Sequence, residues 1–213
     1  MGKYKNGVNG AFSGKVGSVV GVTRAGVDYM RSVPDFRVDN PSEKQIRQRN
    51  VMAMISRWLR PLKSLIAIGF KVLSGSKTPL NEIFALISKE ALIVDGNEVS
   101  IDYKKVVLSR GELLVSFVFE ILSLIDSLLQ IKWQNLNASI YNQGNDKATF
   151  VLNNPAKEKF VTFVGVAERE AEQAELKLPP EFSGDTVHCW MQYASAAGDK
   201  VSTSAYLGEI VVG

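Results

Sequence analysis

At 213 residues, with 46% apolar and 22% charged side chains, the chain is long enough for one large or two small cores and too apolar for a disordered or collagen-like protein. A single cysteine, Cys189, excludes an intrachain disulfide framework and fits a reducing compartment. The net charge of +3 hides an asymmetry: up to Lys71 there are 13 Lys/Arg against 4 Asp/Glu, a net +9, and beyond it 12 against 18, a net −6. A basic arm ahead of an acidic body reads either as a solvated basic face or as a surface that meets something acidic, nucleic acid or the acidic part of a neighbouring copy.

The opening MGKYKNGVNGAFSGK has no apolar core of signal-peptide length, which predicts cytoplasmic synthesis without classical secretion. Glycines recur through Gly26, and between them Val16, Val20 and Val22 keep strand spacing, with Gly17, Val19, Gly21 and Thr23 on the opposite face. Glycine on one strand face predicts a close neighbour there. Val27, Tyr29, Arg31 and Val33 alternate likewise, so Arg24-Ala25-Gly26 reads as the loop of a long two-stranded hairpin. GAFSGKVG fails as a phosphate loop, because its glycines are a residue too close and Lys15 is followed by Val16 instead of a hydroxyl.

After Pro34 and Pro41, Ser42 and Gln45 form the capping box of a helix. Ile46, Val51, Met54, Ile55, Trp58, Leu62, Leu65 and Ile66 make one apolar stripe along it, and Pro61 divides it after about five turns. Gly75-Ser76-Lys77 is a break, and Thr78-Pro79 opens a second helix running to about Lys89. Asp95-Gly96-Asn97 reads as a hairpin turn, with strands at Val99 to Asp102 and Lys105 to Ser109.

From about Val106 the pattern is that of a sandwich. Strand candidates are Leu113 to Phe119, Leu128 to Trp133, Ala148 to Leu152, Phe160 to Val164, Ala174 to Leu178, Thr186 to Ala194 and Ala205 to Val212. Glu120 to Ser127 reads as strand or as a short helix. About seven short strands separated by turn chemistry fit an immunoglobulin or fibronectin type III kind of sandwich, with Trp133 in its core. Glu120 and Asp126 interrupt the longest apolar region, Leu113 to Ile131, so no membrane span is expected.

Chemistry-bearing residues are few. In an extended strand His188 and Cys189 face apart, so they make neither a metal site nor a nucleophile pair. Val187, Cys189, Met191 and Tyr193 would point inward and His188, Trp190 and Gln192 outward. Glu168, Glu170, Glu172 and Glu175 repel one another and read as surface. No enzyme signature and no cofactor motif is present.

Several phrases resemble an uncharacterised family of bacterial and phage-associated proteins: KNGVNGAFSGKVGSVVG with GVDYMRS, NPSEKQIRQRNVMAMISRWLRPLKSLIAIGF, VSIDYKKVVLSRG, LNNPAKEKFVTFVG, and PPEFSGDTVHCWMQY with STSAYLGEIVV. The first two phrases also resemble small phage proteins in which a glycine-rich valine hairpin precedes a helix. The chain departs from the family at Leu113 to Ile125, which is unusually apolar. The resemblance implies no activity; it implies a self-associating or virion-like structural protein whose N-terminal arm docks on neighbours.

The chain is therefore expected to be α+β and mainly β, with a basic hairpin-plus-helix module at 1–105 and a β-sandwich at 106–213. The expected function is non-enzymatic self-association into a filament, tube or virion-like assembly incorporated into a particle, through Val16, Val19, Val20, Val22, Val27, Tyr29 and Arg31. The alternative is non-specific nucleic-acid binding by Arg24, Arg37, Lys44, Arg47, Arg49, Arg57, Arg60 and Lys63.

Overall fold

A computed structural model describes residues 3–4, 10–24, 26–35, 39–70, 78–95 and 98–213. The fold is mainly β with helices, and the chain divides into two compact units, Met1–Glu43 and Lys44–Gly213.

The first unit is an antiparallel ribbon. Strands β1 (Lys3–Tyr4), β2 (Phe12–Val16), β3 (Val19–Arg24) and β4 (Val27–Ser32) lie in sequence order. The continuous strand expected through Val16 to Thr23 is instead two strands. Val16 pairs with Val19 across a two-residue turn, where Gly17 takes φ +58°, a conformation that favours glycine. The expected hairpin between Arg24 and Val27 is present, with Gly26 at φ +80°; Ala25 lies outside the described residues. Gly21 carries the predicted close approach, since a Cβ there would stand 2.1 Å from the Phe12 carbonyl oxygen.

The second unit begins with helices. α1 (Glu43–Leu59) starts directly after Ser42, and a 3-10 turn at Arg60–Leu62 containing Pro61 separates it from α2 (Lys63–Gly69). Pro61 divides the helix as its missing N–H and fixed φ require. The apolar stripe is buried at Val51, Ile55, Leu62, Leu65 and Ile66, while Ile46, in the two opening turns of α1, is exposed. α3 (Pro79–Glu90) is capped by Thr78, whose hydroxyl accepts from the Asn81 N–H at 3.4 Å. The expected break at Gly75-Ser76-Lys77 lies outside the described residues.

A small hairpin follows, β5 (Leu92–Asp95) with β6 (Glu98–Ile101); its turn, Gly96-Asn97, is outside the described residues. Lys105 to Ser109 is not the expected strand. A 3-10 turn at Tyr103–Lys105 is followed by irregular chain, which is tied across to the C-terminal segment by Leu108 N–H donating to Ser204 Oγ at 2.7 Å and Ser109 Oγ donating to the Ser202 carbonyl at 2.7 Å.

Seven strands build the sandwich: β7 (Phe117–Leu124), β8 (Leu128–Gln134), β9 (Lys147–Asn154), β10 (Lys159–Glu168), β11 (Gln173–Lys177), β12 (Thr186–Ala194) and β13 (Ala205–Val211). One antiparallel sheet has the order β10-β9-β12-β13 and the other β11-β8-β7. The fourth strand, β10, joins the sheet of the third, whereas in the immunoglobulin constant arrangement it joins the first and second. β7 starts four residues later than expected and runs on to Leu124, which settles the strand-or-helix ambiguity as strand; a 3-10 turn at Ile125–Ser127 then closes the hairpin.

Between the sheets Leu129, Ile131 and Trp133 of β8 share one buried cluster with Phe150 and Leu152 of β9 and Cys189 and Met191 of β12. On the other face of the larger sheet, Val151 and Trp190 belong to the cluster formed by the helices. The boundary expected at 105/106 therefore falls inside a unit whose two cores meet on one sheet. His188, Trp190 and Gln192 do face away from Cys189, but they are buried and not outside: Trp190 lies in the cluster formed by the helices, and Tyr103 and Tyr206 pack on His188.

Candidate interaction surfaces

In the ribbon, alternation puts the residues singled out from sequence next to one another: Val22 stands opposite Tyr29, Val20 opposite Arg31 and Arg24 opposite Val27. Val19, Val20 and Val22 are half-buried, and Val16 is exposed. β4 differs from its neighbours because all six of its residues are exposed, Val27 at 65% and Met30 at 68%. It pairs with β3 along one edge and with no second strand among the described residues. Thr23 Oγ1 donates to Asp28 Oδ1 at 2.5 Å across the pair and helps hold the register.

The basic charge lies elsewhere than a basic arm suggested. Met1 to Glu43 has six Lys/Arg against four Asp/Glu, whereas Lys44 to Lys71 has seven and no acid. Lys44, Arg47, Arg49, Arg57, Arg60 and Lys63 are all exposed and belong to the helical stretch. Arg24 is exposed in the ribbon, and Arg37 lies outside the described residues. Along one flank of α1, Arg47, Asn50, Met54 and Arg57 recur at threes and fours, which stacks them in a row that Pro61 of the 3-10 turn continues.

That row borders a cleft of about 490 Å³ within the second unit. Trp58 of α1, Tyr103 and Phe160 of β10 supply its rings, with Val99 and Ile101 of β6 beside them. The Trp58 and Phe160 rings meet edge to face at 5.1 Å, and Trp58 and Tyr103 are tilted at 6.1 Å. Behind them Tyr103 packs on His188 at 4.1 Å, and His188 Nδ1 is 2.8 Å from the Tyr206 hydroxyl. Burial, and after it the charge of Glu158, pushes the Tyr103 phenol above its ordinary range. Burial pulls the His188 imidazole below its usual value.

Polar capacity is left over in this wall. Asn153, 1% exposed, donates through Nδ2 to the Lys159 carbonyl at 3.4 Å, but its Oδ1 has no partner; nor has the buried Nε1 of Trp58. Glu158 at the rim is exposed and sits in the left-handed region at φ +50°. The cleft thus joins apolar ring faces to a guanidinium, a carboxylate and amides, a combination suited to holding a planar ligand with polar edges. The sequence places Trp58 on the apolar stripe of the helix but gives no sign that Tyr103, Asn153, Glu158 and Phe160 join it, because only the tertiary fold brings them together.

A second missed feature is buried. Arg169 sits in the acidic run, whose Glu170, Glu172 and Glu175 are exposed, yet its side chain and that of Asp146 are each only 2% exposed, paired at 3.0 Å. Arg169 also donates to Ser116 Oγ at 3.1 Å and to the Leu114 carbonyl at 2.8 Å, and lies 3.7 Å from the centre of the Tyr193 ring. Trp133 Nε1 donates to the Arg169 carbonyl at 2.9 Å. Every polar contact is internal, so this pair pins the sandwich. Cys189 is likewise internal, its thiol pushed up to about 12 by burial.

Among the described residues no group of three or more His, Cys, Asp or Glu is placed to hold a metal ion, and no helix is long and apolar enough to cross a membrane. The chain belongs to a family of unknown function (DUF6266), whose model matches residues 11–208. No curated protein matches it.

Proposed function

We propose that the protein is a non-enzymatic structural protein that self-associates through its N-terminal ribbon into a filament, tube or virion-like assembly. The observation that carries this is β4, an edge strand with every side chain exposed and Val27, Tyr29 and Met30 among them. An open strand edge is a template for strand addition, and Asp28 and Arg31 leave Val27, Tyr29 and Met30 as exposed apolar contacts along it. The likeness of the N-terminal phrases to phage-associated proteins supports a particle-borne setting. Light scattering and negative-stain microscopy of the purified chain test it. Concentration-dependent assembly, abolished by the V27K/M30K double variant, is expected; a monomer at every concentration and ionic strength overturns it.

A second reading, non-specific nucleic-acid binding, is favoured by the helical stretch, where six exposed cations from Lys44 to Lys63 occur with no acid between them. Counterion release demands that such binding weaken steeply with salt. Gel shifts at two salt concentrations are expected to show this, and absence of any shift at low salt removes it.

A further inference from the structure

We infer that the cleft between α1, β6 and the β9–β10 hairpin is a base-binding pocket for single-stranded nucleic acid, with Trp58, Tyr103 and Phe160 as the stacking wall and Arg57 as the phosphate contact. The inference rests on the nucleic-acid reading and goes beyond it, since charge alone does not distinguish single strands from duplexes.

Three independent features converge on this ligand class. Its volume of about 490 Å³ lies in the range of small-ligand pockets and admits one nucleotide. Its ring faces are those that sequence-tolerant single-strand binders use, where successive bases stack on aromatic side chains inside a basic groove. Its flank is cationic: Arg57 lines the opening, and Arg47 continues the same row of α1 one turn beyond Asn50, so a strand with one base in the cleft runs its backbone along the helix. An apolar ligand without charge would make no use of that row.

The polar atoms add a preference among bases. Glu158, exposed at the rim, accepts hydrogen bonds only, which suits the two-proton exocyclic amine of cytosine or adenine better than thymine, whose single N3–H is flanked by two carbonyls that a carboxylate repels. Trp58 and Asn153 both line the cleft, and their buried Nε1 donor and Oδ1 acceptor lack partners. The pocket accordingly prefers amine-bearing bases.

Trp133 and Trp190 are buried and Trp58 is half-buried, so quenching of tryptophan emission by a stacked base reports on Trp58. The full chain is titrated with oligo-dC and oligo-dT of about 12 nucleotides, and with a duplex of equal length, at about 50 and 200 mM salt. Saturable quenching is expected with the single strands, tighter for dC than for dT and weak for the duplex. Trp58→Leu is expected to weaken dC binding by about 5- to 100-fold. Arg57→Ala should weaken both oligomers alike and lower the salt slope by about one. Glu158→Gln, at an exposed position, is expected to bring the ratio of dC to dT affinity close to one, and an unchanged ratio removes Glu158 from base selection.

Duplex and single strand bound equally, or nucleic acid bound with W58L, R57A and E158Q all indistinguishable from wild type, overturns the pocket and leaves the wider reading standing. No binding of any oligomer at low salt removes both. Quenching by an acidic, aromatic-containing peptide with none by oligonucleotides assigns the cleft to a protein partner and overturns the inference.

Discussion

Strands β4 and β12 have much in common as sequence. Both alternate, both contain aromatic and aliphatic residues, and neither is interrupted by glycine or proline. In the fold they are opposites, since all six residues of β4 are exposed while β12 is buried from Val187 to Tyr193. The cause lies in the company each keeps. β12 has a strand on either side, a second sheet over one face and the helical layer over the other; among the described residues β4 has one neighbouring strand, in a ribbon. Alternation tells which residues share a face, and only the remaining chain decides whether that face meets water.

The contrast can be broken most severely at the buried charges. Asp146→Ala leaves the Arg169 charge without its counterion inside the sandwich, and is expected to cost about 3–5 kcal/mol of stability in chemical denaturation. Trp190→Ala, which removes a side chain from the helical core and its hydrogen bond to the Val106 carbonyl at 3.1 Å, is expected to cost about as much, ~3–5 kcal/mol. Equivalent loss from Met30→Lys on β4 would erase the distinction. That change is expected to stay within about 0.5 kcal/mol while reducing assembly measured by light scattering.

Acid provides an intermediate perturbation. Burial lowers the pKa of His188 in the folded state, so the unfolded chain takes up its proton first as pH falls. Stability present above the unfolded value near 6.5 is therefore lost as pH drops below it toward the lower folded value, and melting temperature should fall between about pH 7 and 5. His188→Phe should flatten that slope. The mildest probe leaves stability untouched. Cys189, buried with its thiol raised to about 12, should react with a thiol reagent only as fast as the second unit unfolds, and prompt labelling of the native protein would contradict the burial of β12.

Much of the architecture was legible in the residues because local chemistry announced it. Ser42, Pro61 and Thr78 mark helix boundaries that the fold respects, and all seven sandwich strands fall on or beside their predicted positions. Where the prediction slipped, a single residue or a distant partner decided. Gly17 turned one strand into two, and the chain at Lys105 to Ser109 gave up strand pairing for hydrogen bonds to Ser202 and Ser204, more than ninety residues away. The surfaces were less legible. The ribbon residues were found because alternation is local, but the cleft draws on α1, β6, Tyr103 and the β9–β10 hairpin, and no spacing in the chain brings those together. Arg169 was hidden for the opposite reason, since an arginine among four glutamates looks solvated unless its partner Asp146 is already in place.

The sharing of β9 and β12 by two cores has a thermodynamic consequence. Removing the helices would bare Val151 and Trp190, and removing the sandwich would leave Ile55, Leu59 and Ile66 without a floor. Neither piece is a self-sufficient folding unit, so heating Lys44–Gly213 should give one calorimetric transition whose van't Hoff and measured enthalpies agree. Evolution faces the same coupling: an insertion in the connection near residue 105 would have to preserve the dock between the layers, whereas the ribbon, with its own internal pairing, can change its exposed face at little cost to the fold.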